Sequence, residues 1–245
     1  NKTKRPNYSS LRNEVQYNNR YLYEGGNPYL RPCVISNIDL NVVYKWLSLN
    51  AGYNYIDKPI VWTSTLYHGK DIIFQRSLNF SKDQDLYASL VAEPRFGWYN
   101  PMFEIDYSQT FLSTAGFDIE GIASKPSFRL RCNNRFDISK TIKAYLNMKY
   151  RTSVHDGLQY TKPYSQMDIR LSKTFCKEAW QISLFANDLF RQSKERWTTY
   201  GSRTSITKNC YEYYRCVGLV VRYRFNTANS KYKGIGAGNA EKNRL

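Results

Sequence analysis

The chain has 245 residues, 42% of them apolar and 16% aromatic, with 22 Tyr but only 13 Gly and eight Pro, so it holds one large β domain or two small ones and is no linker or low-complexity segment. Its formal charge of +16 fits contact with nucleic acid, lipid headgroups or an anionic solute, or simply Lys and Arg spread over loops and one strand face. No apolar run approaches the roughly 20 residues of a membrane-crossing helix, which excludes helical spanning. The first residue is Asn and no signal-peptide pattern follows, so the chain is expected to be a fragment or a mature portion.

A first strand is expected to end within the first 18 or so residues. Over 32–44, Ile38, Leu40, Val42 and Tyr44 alternate with polar residues such as Asp39 and Asn41. The next stretch, YKWLSLNAGYNY at 44–55, continues the pattern beyond Lys45, with Leu47, Leu49, Ala51, Tyr53 and Tyr55 on one face and Ser48, Asn50, Gly52 and Asn54 on the other. Strands are predicted over 47–67, 71–93, 101–113, 125–138, 141–153, 164–176, 179–205 and 211–225. In the clearest pair, Phe128, Leu130, Cys132, Phe136 and Ile138 oppose Arg129, Arg131, Arg135 and Asp137, and then Ile142 to Tyr150 oppose Lys143 and Lys149. Short turns near Lys45, Arg95 to Pro101, Ser139 and Cys176 to Ala179 alternate with longer links around 19–31, 114–124 and 154–163. After Phe225 the pattern stops, dividing the chain into a barrel portion at 1–225 and a polar tail at 226–245.

A soluble sandwich alternates too, but its strands centre on about five or six residues. Here many alternate over 9 to 14, near the roughly 9 to 11 that cross a bilayer at a tilt. Long strands, alternating faces, unequal turns and aromatics near turns together predict an all-β chain, an antiparallel transmembrane β-barrel segment of about ten long strands. Asp39, Glu104, Asp106, Arg129, Arg131, Arg135, Lys143, Lys149, Arg222 and Arg224 then face a wet lumen, because lipid does not tolerate them. Trp46, Trp98, Trp180 and Phe225 are the candidate interface aromatics. Two residues break the rule: Asn134 and Lys173 fall on the apolar face, Lys173 close enough to the turn at Cys176 to snorkel.

RPNYSSL (5–11), EGGNPYLRP (24–32), the YKWLSLNAGYNY hairpin with DKPI after it, RFGWYNP (95–101), LFANDLF (184–190) and VGLVVRYRFN followed by KYKGIGAGNAEKNRL resemble, in this order, the C-terminal barrel of Bacteroidetes TonB-dependent receptors, outer membrane beta-barrel family proteins. The resemblance spans nearly the whole chain. It implies a 22-stranded barrel completed by N-terminal strands and a plug domain outside this chain, a TonB contact through the upstream region, short periplasmic turns and long external loops. Import of a nutrient, a small molecule or a glycan, with siderophore, glycan, peptide and cobalamin all open, is the expected function, in the cell outer membrane with lipid as a partner. Capture is then expected of residues 17–31, 62–72, 114–124, 154–163 and 192–210.

The residues themselves suggest no catalysis. His68 and His155 lie far apart in loops, and Cys33, Cys132, Cys176, Cys210 and Cys216 show no CxxC spacing. Cys210 and Cys216 flank the last hairpin and are a disulfide candidate, against the plainer reading of free thiols. Asp83 and Asp85 lack the Gly-containing frame of a cation loop and read as a solvated strand segment. No catalytic residue, metal ligand or cofactor is assigned. The rivals are a free-standing small outer-membrane barrel and a soluble basic β domain binding nucleic acid or glycan. A nucleic-acid binder would interleave aromatic and basic residues on one face, whereas here they occupy opposite faces. A glycan-binding sandwich would use loop aromatics such as Tyr17, Tyr21, Tyr23, Tyr29, Trp197 and Tyr200.

Overall fold

The structure, a computed structural model, describes residues 1–119, 124–211 and 214–225; the proposed tail at 226–245 lies outside the described residues. Strands begin with β1 (Lys2–Lys4), β2 (Val15–Asn19), β3 (Leu22–Gly25), β4 (Cys33–Tyr44), β5 (Leu47–Asp57) and β6 (Ile60–Leu66). Next come β7 (Ile73–Asn79), β8 (Lys82–Ala92), β9 (Tyr99–Thr110), β10 (Ser127–Asp137), β11 (Ile142–Arg151) and β12 (Val154–Asp156). The last are β13 (Gln159–Thr161), β14 (Tyr164–Phe175), β15 (Trp180–Asn187), β16 (Glu195–Gly201), β17 (Thr204–Cys210) and β18 (Cys216–Tyr223). Among the described residues no helix is long and apolar enough to cross a membrane.

Ten strands form one antiparallel sheet in the order β1-β4-β5-β8-β9-β10-β11-β14-β15-β18. Apart from β1, each meets its neighbours through short turns at one end and longer excursions at the other. The tightest turn, between Tyr44 and Leu47, has Lys45 in the left-handed region at φ 53°. In the turn from β14 to β15, Cys176, Lys177 and Glu178 all have positive φ. The longer excursions build two further sheets, β2-β3-β7-β6 and β12-β13-β16-β17. Within the first, β3 and β7 pair in parallel although all other pairs are antiparallel.

The distribution of side chains is inside-out for a soluble domain. Among the described residues the buried apolar set is Leu30, Cys33, Phe80 and Leu158, whereas buried polar residues include Thr63, Ser64, Glu104, Asn134, Ser172 and Ser183. Ile38, Leu40, Ile105, Leu130, Ile169, Leu171, Leu184 and Leu219 are exposed in the sheet. An apolar sheet face of this extent left open to water would be strongly unfavourable, and lipid removes the penalty.

Three expected strands are each divided. The expected strand 47–67 turns at Lys58, with φ 52°, and Pro59, so β5 stays in the large sheet while β6 leaves it. The expected strand 71–93 breaks between Asn79 and Lys82, where Lys58 donates to the Ser81 carbonyl at 3.2 Å. The expected strand 179–205 breaks after Asn187, where Asp188 and Arg191 adopt positive φ. Alternation persists through each bend because β6, β7 and β16 alternate as well, so periodicity alone does not register the change of sheet.

The two sheets of the excursions meet where Gly201, at the end of β16, lies against Ser64 of β6. Ser202 donates its N–H to the Ser64 carbonyl at 2.9 Å, and the Ser64 and Thr204 hydroxyls lie 2.6 Å apart. Arg203 pairs with Asp118 at 2.6 Å, tying this junction to the link after β9. Phe80 stacks on Phe117 at 4.1 Å between ring centroids, so the small apolar core lies beneath the long-loop end.

Candidate functional site

The register decides which side chains share the polar face. Asp39 stands opposite Gly52, Gly52 opposite Tyr87, Glu104 opposite Arg131, Asp106 opposite Arg129, and Arg131 opposite Lys149. Arg135 and Lys143 follow on the same face, as do Arg222, opposite Gln181, and Arg224 two residues beyond it. All ten charged residues proposed from the sequence therefore lie on one side of the sheet.

They are not mixed there. Carboxylates dominate β4, β8 and β9, namely Asp39, Asp83, Asp85, Glu104 and Asp106, and these strands carry no cation on that face. Cations dominate from β10 to β18: Arg129, Arg131, Arg135, Lys143, Lys149, Arg151, Arg170 and Arg222, against Asp137 and Asp168. Ion pairs stitch the boundary. Arg131 bonds Glu104 and lies 3.5 Å from Asp106, which Arg129 approaches to 3.7 Å. Ser89 donates to Asp106 at 2.7 Å, and Arg135 pairs with Asp137 at 3.0 Å.

Gly52 makes room for a neighbouring ring. The Tyr87 ring lies across it and its hydroxyl donates to Asp39, so a Cβ at position 52 would strike both Tyr87 and Asp39. Gly52→Leu is expected to displace Tyr87 and cost about 1–3 kcal/mol. A lower urea midpoint in vesicles, largely restored by adding Tyr87→Ser, would show it. Gly218 serves alike, receiving the Phe185 ring, over which Arg170 stacks at 5.9 Å.

The two exceptions on the apolar face are satisfied locally. Asn134 accepts from the Tyr99 hydroxyl at 2.7 Å and donates to the Leu146 carbonyl at 3.1 Å. Lys173 places Nζ 5.0 Å from the Phe175 ring centroid, beside the turn at Cys176. Trp46, Trp98 and Trp180 are exposed at the short-turn end, with Phe225 just beyond β18. Trp180 and Tyr223 lie 4.5 Å apart, Tyr223 and Phe225 4.6 Å, and Trp98 and Phe136 6.0 Å. All five cysteines are free, including Cys210 and Cys216. Asp83 and Asp85 lie in β8, Asp85 accepting from Thr110 at 2.8 Å.

At the long-loop end the β12–β13 hairpin stands over the polar face and encloses a cleft of about 580 Å³. The wall contributes Asp85, Tyr87, Asp106, Arg129 and Arg151, and the hairpin contributes His155, Asp156 and Gln159. Burial, then the nearby Asp85, hold the Asp156 carboxyl above the usual carboxylate range. Burial and Lys125 hold the His155 imidazole below its ordinary value. Sequence reading placed 154–163 in a loop and did not foresee this cleft, because its lining converges from strands far apart in the chain.

The profile of the Outer membrane protein beta-barrel family matches residues 1–223. The chain belongs to that family. This outer membrane barrel protein is accordingly placed in the outer membrane. Its fold is similar to the crystal structure of the siderophore receptor PirA from Pseudomonas aeruginosa, with a TM-score of 0.53 and 13% identity over 84% of this chain. The barrel protein spans 38% of that receptor's chain. No curated protein matches it significantly.

Proposed function

We propose that this barrel protein forms the C-terminal part of the wall of a TonB-dependent outer-membrane receptor that imports a nutrient rather than catalysing a reaction. The observation that carries this reading is the open sheet: its ten strands end on β1 and β18, and no pairing joins these two among the described residues. Unpaired strand edges are not tolerated in hydrocarbon, which supports a barrel closed by further strands. The similarity to a receptor of which it spans 38% supports the same reading. A 22-stranded count, a Bacteroidetes source, a plug held by the charged lumen face and a TonB contact upstream of the barrel belong to this proposal. Trp46, Trp98, Trp180 and Phe225 then sit at the periplasmic interface, and the two sheets of the excursions lie outside the cell.

The full-length protein, extracted from outer membranes in detergent, should be retained by the immobilised periplasmic domain of TonB. Its nutrient uptake should cease when TonB is deleted. A barrel that closes with ten strands and ignores TonB would replace the receptor with a free-standing small barrel.

A further inference from the structure

The short-turn end of the sheet carries two lysines whose ammonium groups find no carboxylate inside the protein. Lys173 stands on the apolar face of β14, between Ile142 of β11 and Ile182 of β15. Its Nζ lies 5.0 Å from the centroid of the Phe175 ring, two residues nearer the turn at Cys176 on the same face. The side chain therefore runs along the strand toward the turn, its stem covering apolar surface while the charge moves to the end of the sheet. Lys45 repeats the arrangement. It occupies the turn between β4 and β5, and its Nζ lies 5.1 Å from the centroid of the Tyr44 ring, on the face that carries Ile38, Leu40 and Val42.

Neither ammonium is paired. No ion pair among the described residues includes Lys45 or Lys173, and Asp137, at the same end, belongs to the polar face and is engaged by Arg135 at 3.0 Å. A ring face attracts an ammonium but leaves most of its N–H donors open. On a side where hydration falls away those donors call for an anion, because an uncompensated charge there is costly.

Both lysines lie at one level of the sheet. Trp46 follows Lys45 directly, and Trp180 stands opposite Phe175 across the β14–β15 turn, with the Tyr223 ring 4.5 Å from it. Exposed Trp and Tyr at the end of a membrane strand mark the plane of the lipid headgroups. The ammonium groups are thus held where the phosphodiesters of a bilayer lie. Thr174 donates its N–H to the Thr141 carbonyl at 2.9 Å, which sets the β10–β11 and β14–β15 turns side by side. Lys140 and Lys177 are exposed in these turns against Glu178 alone, so cations outnumber carboxylates around Lys173. That surplus favours a headgroup with net negative charge over a zwitterionic one.

We infer that the apolar side of the short-turn end binds the headgroups of anionic glycerophospholipids, with Lys173 and Lys45 as phosphate ligands, each backed by a ring. The inference goes beyond nutrient uptake and takes from the reading above only the periplasmic side of these turns, where the phospholipid leaflet of an outer membrane lies.

The test uses the full-length protein in detergent, titrated with dioleoylphosphatidylglycerol, dioleoylphosphatidylcholine and lipid A, with bound lipid counted by native mass spectrometry. Phosphatidylglycerol should be retained in preference to phosphatidylcholine. Lys173→Gln and Lys45→Asn should each weaken one of the tightly retained phosphatidylglycerol molecules about fivefold, the attraction that one ammonium supplies near an anionic headgroup plane, and Lys173→Arg should preserve it. Asn suits the positive φ of position 45, so that variant keeps the test decisive even where Lys173→Gln fails to fold. Lys143→Gln removes the same charge from the polar face at the same end and should leave lipid retention unchanged. Equal retention of the two phospholipids, preference for lipid A, displacement by excess inorganic phosphate, retention indifferent to both lysine variants, or an equal loss from Lys143→Gln would each overturn the inference. Retention on TonB is independent of all these results: its loss sinks the receptor reading and leaves the headgroup site to stand or fall on lipid binding.

Discussion

Leu130→Lys is expected to destabilise the protein in a bilayer by about 2–4 kcal/mol, while Asn133→Lys, three residues on, should stay within about 0.5 kcal/mol. Both residues sit in β10, but Leu130 is 42% exposed on the apolar face between Ile105 and Tyr150, and Asn133 lies on the polar face between Met102 and Asn147. A lysine at mid-strand on the lipid side loses its hydration and is too far from either interface to reach it cheaply. On the other side it joins a hydrated set of charges. Urea unfolding of the full-length protein in phosphatidylcholine vesicles measures the difference. Equal losses at the two positions would mean that the apolar face is covered by protein and not by lipid.

Asp188→Ala is expected to cost about 2–4 kcal/mol of local stability in the segment after β15, with little effect on the sheet. Asp188 is fully buried at φ 47°. Its carboxylate accepts from the Gln192 N–H at 2.9 Å, the Ser193 N–H at 3.3 Å and the Tyr211 hydroxyl at 3.2 Å, while its own N–H donates to Asp168 at 2.8 Å. Removing the carboxylate leaves these donors without their acceptor in a site closed to water. Trypsin reads the result directly, since Arg191 and Lys194 lie in the released segment. Cleavage there should accelerate about 30-fold or more, Asp188→Asn should show a smaller rise, and heat-modifiable migration of the barrel should persist.

The sequence made the large sheet legible because each of its strands faces two different solvents, and that contrast imposes a period of two over Ile38 to Tyr44, Phe128 to Asp137 and Val217 to Tyr223. Side assignment of the charged residues followed from the same period. What it could not convey is every relation between strands. The parallel pairing of β3 with β7, the crossing of Tyr87 over Gly52 and the meeting of Gly201 with Ser64 join residues distant in the chain, and no local pattern encodes them. Asp188 was hidden differently. It falls inside the expected strand 179–205, and only its burial and its ring of donors reveal an anchor.

The segregation of carboxylates onto β4 to β9 and cations onto β10 to β18 makes the wall an electrical dipole whose axis runs across the strands and not along them. Under the proposed import role, a solute passing in front of β9 and β10 would meet a tangential field that turns a molecule with its own dipole. That torque is free of shape recognition and fades at salt concentrations where the screening length, about 10 Å at 0.1 M, falls below the width of the passage. Orientation of such a solute would thus depend on ionic strength.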